Sequence, residues 1–127
     1  MPPDARMTES GDGWATSTLG ELGSGPGFRK VRAPLGVTAF GVNAVVLPPG
    51  FTGRRHSHER QQELYLVLSG EVEFEFDGER RRLGPGGLAR VDPQTVRCVT
   101  NVSETEEATF FCVGGDGGYV GRDGVPG

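Results

Sequence analysis

Residues 50–78 read GFTGRRHSHERQQELYLVLSGEVEFEFDG, and the fold is decided there. Within it, Glu71-Val72-Glu73-Phe74-Glu75-Phe76 alternates charged and apolar side chains at every step. A period of two sets Val72, Phe74 and Phe76 on the buried face of a strand and the glutamates on the wet face. Wound as a helix, the same residues would scatter the glutamates around its circumference. Asp77-Gly78 follows, the strongest two-residue hairpin signal. Glu79 to Leu83 then returns as a polar strand, with Arg80, Arg81 and Arg82 on a solvated face. The apolar run Leu64 to Leu68, closed by Ser69-Gly70, is the strand before it.

Working outward, Val37 to Leu47 is rich in strand formers and stops at Pro48-Pro49-Gly50. On the other side, Gly84-Pro85-Gly86-Gly87 is a turn, and Leu88 to Val91, Val96 to Asn101 and Ala108 to Val113 supply further strands. Short strands about ten residues apart with turn signals between them predict an all-β sandwich or barrel. Residues 1–27 read as a flexible N-terminal arm whose Leu19, Leu22 and Trp14 could dock on the domain. Residues 28–127 read as the barrel domain, with a Gly-rich tail from Gly114.

Composition narrows the function. Twenty-two glycines and nine prolines make up about a quarter of the 127 residues, which excludes a helical bundle or coiled coil. The formal net charge of −4 argues against nucleic acid as a partner, because phosphate binding needs a basic patch. No run approaches the ~18 apolar residues of a membrane span, so no membrane partner is expected. No secretory signal is legible, and a cytoplasmic location is the expectation. Cys98 and Cys112 are too few for a disulfide framework or a four-thiolate zinc site and read as buried thiols. No Gly-rich loop follows a strand and opens a helix, so a nucleotide phosphate loop is unsupported. Residues 1–27 are too short to be read as an appended DNA-binding domain.

The chemistry concentrates in His56-Ser57-His58, which holds both histidines of the chain. Residues i and i+2 of a strand point to one face, roughly 7 Å apart at Cα, so both imidazoles can reach one cation. Glu63 follows five residues later and would fall on the opposite face of a continuous strand. Residues 59–62 must therefore bend the chain so that Glu63 arrives from the next strand. Two imidazoles and one carboxylate suit a divalent Fe, Mn, Ni or Zn ion with coordination positions left open.

The spacing around these residues resembles a known family. Gly50, five residues, His56-x-His58, four residues, Glu63, six residues, Gly70 is similar at every defining position to the first motif of the cupin superfamily. The second motif is matched at Gly86 and Asn101 but departs between them: Asp92, Gln94 and Arg97 stand where the family has Pro, Gly and His. The resemblance spans residues 50–101 by motif and about 37–113 by strand pattern. It implies a double-stranded β-helix (jelly-roll) cupin barrel with one pocket, commonly a homodimer. The superfamily includes dioxygenases, isomerases, epimerases and plain ligand-binding domains.

Arg97 stands where the family has its fourth metal ligand, and strand parity from Arg97 to Asn101 keeps it on the face that ligand would occupy, while Cys98 points the other way. A guanidinium is always charged and does not ligate. Three arrangements are open: Arg97 swings aside from a three-ligand metal, Arg97 clamps the anionic end of a substrate beside the metal, or Arg97 pairs with Glu63 in a metal-free pocket. Tyr65 and Val67 share the parity of Glu63 and should line the pocket. Asn43, polar in an apolar strand, either reaches the pocket or caps a bulge. The expectations are a small-molecule ligand held near Arg97, Tyr65 and Asn43, and a metal held by His56, His58 and Glu63. Whether the chain is an oxygenase or isomerase, or a non-catalytic metal-free binding or sensor domain, stays open at this point.

Overall fold

A computed structural model describes residues 8–127. The expected hairpin forms as the alternation requires. β7 (Val72–Phe76) pairs with β8 (Glu79–Leu83), with Phe76 opposite Glu79. Asp77 and Gly78 both take positive φ, 49° and 93°, the handedness that matches the twist of a two-residue turn. Val72 and Phe74 are fully buried, while Arg80 and Arg82 lie over Glu73, Glu75 and Glu71 on the wet face. These exposed pairs keep the arginine run solvated and contribute little stability each.

The remaining strands complete two five-stranded antiparallel sheets. β3 (Gly27–Lys30), β4 (Gly41–Leu47), β6 (Gln62–Ser69), β9 (Leu88–Val91) and β11 (Ala108–Gly115) form one, in the order β3-β4-β11-β6-β9. β5 (His56–His58), β10 (Arg97–Asn101) and β12 (Gly124–Pro126) join the hairpin in the other, in the order β12-β5-β10-β7-β8. The inner faces meet in one core that takes Val45, Leu47, Tyr65, Val67 and Phe110 from the first sheet and Val72, Phe74 and Val99 from the second. The Phe74 ring stacks on Phe76 and packs edge-on against Tyr65. This is the jelly-roll barrel that the strand spacing and motifs led us to expect.

Two motif positions act locally. Gly70 has φ 76°, and a Cβ there would lie 2.8 Å from the Ala108 Cα, so the turn admits no larger residue. Asn101 is buried, with Nδ2 reaching the carbonyls of Leu47, Pro48 and Glu106, while Oδ1 accepts from the Ser103 N–H. It fastens two loops and takes no part in the pocket.

The structure adds to or departs from the sequence reading in four places. The segment read as an arm carries a hairpin, β1 (Glu9–Gly11) and β2 (Trp14–Thr16), turned at Asp12-Gly13. Its three-residue strands are too short to show a period. Trp14 does not dock; it is 55% exposed. Residues 1–7 of that arm lie outside the described residues. Val37 to Phe40, though rich in strand formers, is not strand, because the neighbouring strands offer partners only from Gly41 onward. A single helical turn, α1 (Arg32–Leu35), precedes it and ends at Gly36 with φ 73°. The Gly-rich tail carries a strand as well: β12 adds to the open edge of β5, with Pro126 opposite His56. Among the described residues, no helix is long and apolar enough to cross a membrane.

Candidate metal centre

His56 and His58 lie on β5, in one sheet, and Glu63 lies on β6, in the other. The chain bends through residues 59–61 between them, as the parity of Glu63 demanded. Ligand atoms of all three residues lie within 4.8 Å of one another. The rings are 5.0 Å apart between centroids and nearly perpendicular. His58 Nε2 is 3.4 Å from Glu63 Oε2.

Each imidazole is held through its far nitrogen. His56 Nδ1 meets the Arg54 carbonyl oxygen at 3.0 Å, and His58 Nδ1 meets Asp123 Oδ1 at 2.7 Å. Both acceptors place the proton on Nδ1 and leave Nε2 as the donor atom, the arrangement usual for metal-bound histidines. Among the described residues, His58 Nε2 is buried and makes no hydrogen bond. When His58 is neutral, this leaves a buried nitrogen lone pair 3.4 Å from the Glu63 carboxylate, which is costly. A cation shared with His56 and Glu63 would satisfy it, so the donor set fits a divalent metal.

Glu63 is oriented from two sides. The Tyr65 hydroxyl donates to Oε1 at 2.5 Å, and Arg97 Nε stands 3.7 Å from the same oxygen. Burial works against ionisation of Glu63, but His58, the Tyr65 hydroxyl and the Arg97 charge outweigh it and hold the carboxyl down at about 2. The nearby Glu63 carboxylate raises His58 above its ordinary 6.5, against burial and with help from Asp123. Asp123 is held well below the ordinary carboxylate range: its burial is overcome by donors from Gln61, the loop backbone and His58.

These shifts fix a pH profile for the metal-free protein. A carboxyl lowered on folding contributes stability above its unfolded value, and this is lost as pH falls through its folded value. For Glu63 that loss runs from 4.5 down to about 2, and Asp123 adds to it. A raised His58 contributes below 6.5 and loses its contribution as pH rises through its folded value. Stability measured by denaturant titration should therefore be greatest between about 4.5 and 6.5 and lower on both sides. Glu63→Gln should flatten both limbs. A wild-type profile already flat would contradict the pairing.

Arg97 is completely buried and lies opposite His56 in the sheet. It faces the ligands, as parity required, while Cys98 points away and donates to the Gly53 carbonyl. Its fork, however, is turned into the preceding loop. One amino group reaches the carbonyls of Thr95 at 2.9 Å and Pro93 at 3.3 Å, and the other those of Asp92 at 3.3 Å and Val91 at 3.5 Å. Both amino groups are thus engaged on carbonyls, and it is Nε that faces the site. Tyr65, expected to contact a ligand, is buried with its hydroxyl on Glu63. Asn43 is half-buried opposite Cys112, which is itself opposite Tyr65, so the three share one inward row. Burial, then the Glu63 charge, pushes the Cys112 thiol up, so in the metal-free protein it is a neutral wall group.

Two contributors escaped the sequence reading. Asp123 lies in the Gly-rich segment, 65 residues from His58, with no periodic pattern around it. Gln61 donates to Asp123 Oδ1 at 2.7 Å. Its side chain fills the space over Gly114, where a Cβ would fall 2.3 Å from Gln61 Oε1. An inward strand position occupied by glycine was the available signal that something else fills that volume.

The comparisons agree with the fold. A family model described as the cupin domain matches residues 43–114, more than half of the chain. No curated protein sequence matches. Among solved structures, a cupin protein from Bacteroides fragilis is similar at 22% identity and TM-score 0.71, covering 87% of this chain and 90% of its own. The cupin domain of an XRE-family transcriptional regulator from Enterobacter cloacae is similar at 27% identity and TM-score 0.56, covering 66% and 84%. A sugar phosphate isomerase of the cupin superfamily from Silicibacter pomeroyi is similar at 24% identity and TM-score 0.63, covering 86% and 68%. With the motif, the barrel and the family match in agreement, the chain belongs to the cupin superfamily.

Proposed function

We propose that this cupin binds a divalent metal through His56, His58 and Glu63 and uses it on a small, anionic or oxygen-rich molecule. The observation that carries the reading is the buried, unpartnered Nε2 of His58 facing Glu63. A bound ion would supply Lewis-acid or oxygen-activating chemistry, the kinds that a two-histidine, one-carboxylate set leaves open positions for. The protein's own groups set the surroundings. Tyr65 fixes the Glu63 carboxylate, and the inward row through Asn43 and Cys112 shapes the wall. Arg97 acts by its field: its charge and that of the ion together exceed the single charge of Glu63, and the surplus favours an anionic ligand. Oxygenase or isomerase chemistry fits such a site. Its support is the family alone, since the Silicibacter isomerase is similar in fold.

A second reading has its own observation. Arg97 Nε, 3.7 Å from Glu63 Oε1, already places a cation beside the acid. A metal-free binding or sensor domain would use that pair, and the similar Enterobacter domain belongs to a regulator. Titrating Fe(II), Mn(II), Ni(II) and Zn(II) into untagged protein separates the two. Stoichiometric uptake supports the metal reading, and none at millimolar metal would leave the sensor.

The expected homodimer is a proposal as well. Its surface would be the outer face of the β6 sheet, where Leu64, Leu68 and Leu88 stand exposed beside half-buried Phe111. A monomeric mass in sedimentation would dismiss it.

A further inference from the structure

Asp123 makes more polar contacts with the ligand-bearing turn than any other side chain described. Its Oδ2 accepts the backbone N–H of Arg60 at 2.8 Å and of Gln61 at 3.0 Å, and its own carbonyl accepts the N–H of Glu59 at 3.1 Å. Three successive N–H groups of the bend between His58 and Glu63 thus close on one residue. Its Oδ1 takes Gln61 Nε2 and His58 Nδ1, each at 2.7 Å. The side chain is 8% exposed, and β12 begins at the next residue, pairing Gly124 with His58.

An ionised carboxylate only accepts hydrogen bonds. At 2.7 Å the proton between Oδ1 and the imidazole therefore sits on His58 Nδ1. For neutral His58 the lone pair is then on Nε2, the atom that faces Glu63. We propose that Asp123 is a positioning residue of this site: it fixes His58 in the tautomer and orientation that present Nε2, and so makes residues 121–127 part of the metal centre. The proposal rests on the metal-binding reading for its purpose, and on hydrogen-bond geometry alone for the tautomer.

Asp123→Asn tests it with no change of shape. The N–H groups of Arg60 and Gln61 still need an acceptor, so the asparagine carbonyl must turn to them. Its NH2 then faces His58 Nδ1 and donates to it, which moves the imidazole proton to Nε2. Long-range proton–nitrogen NMR of the metal-free full chain, at a pH where the imidazole is neutral, reads this directly. Wild type should show His58 protonated on Nδ1, and Asp123→Asn should show it protonated on Nε2. Calorimetric titration with Mn(II) or Zn(II) alone should show affinity falling by roughly 10–100-fold in the variant, the usual loss when a histidine ligand loses its carboxylate partner.

Wild type protonated on Nε2 overturns the proposal without any variant, so a poorly folding Asp123→Asn does not shelter it. A variant that keeps the Nδ1 proton overturns it too, as does one that changes tautomer yet binds metal as tightly as wild type. If the tautomer changes as expected while wild type takes up no metal, Asp123 does set His58 and the metal-binding reading is what fails.

Discussion

Protein with alanine at both His56 and His58 is expected to take up no divalent metal under conditions where wild type binds one equivalent. Two of three donors are gone, and a lone carboxylate beside the Arg97 charge holds first-row metals weakly. The loss should exceed by far the roughly 10–100-fold that removing an outer partner costs. Circular dichroism and denaturant midpoints provide the control. Neither histidine belongs to the core of Val45, Val67, Phe74 and Phe110, so the barrel should persist. Removing His58 also relieves the unpartnered Nε2. Equal metal content in the double variant and wild type would place any metal elsewhere on the molecule.

The second large effect is expected at Arg97. A unit positive charge about 5 Å from a dication is opposed by on the order of 6–7 kcal/mol at an effective dielectric of about 20, part of which Glu63 offsets. Arg97→His removes that charge and restores an imidazole where cupins carry their fourth ligand, so metal affinity should rise by about 100-fold or more. Arg97→Met removes the charge and adds no ligand. Its affinity should lie between the two, which separates repulsion from coordination. The same substitutions should lower the stability of the metal-free protein by about 3 kcal/mol. They strip the donors from the carbonyls of Val91, Asp92, Pro93 and Thr95 and leave Glu63 without its cation. Metal titration and chemical denaturation read the two effects independently. Equal affinity in wild type and both variants would show that the Arg97 charge does not reach the ion.

What could be read in advance was what local chemistry determines. The alternation through Phe76, the Asp77-Gly78 turn and the placement of Glu63 on a second strand all follow from side-chain parity and turn geometry, and all hold. Parity also gave the facing of Arg97 correctly. It could not give the direction of the guanidinium, because that depends on four carbonyls of a loop whose path is set by tertiary structure. The strand at residues 124–126 escaped for a similar reason. Three residues in a Gly-rich run carry no period, and they become extended because β5 offers an unpaired edge. Asp123 could be found only after that strand had been placed. The N-terminal hairpin shows the converse: an Asp-Gly turn was present at residues 12–13, and weak strand propensity concealed it.

The late-sequence edge strand has a kinetic side. Hairpin β7–β8 closes over two residues and can form within microseconds, whereas docking β12 on β5 must close a loop of more than sixty. Collapse of the core needs neither β12 nor Asp123. The histidine rim should accordingly acquire its final rigidity after the rest of the barrel has folded, and amide exchange in residues 56–61 should remain faster than in the hairpin even in the mature protein.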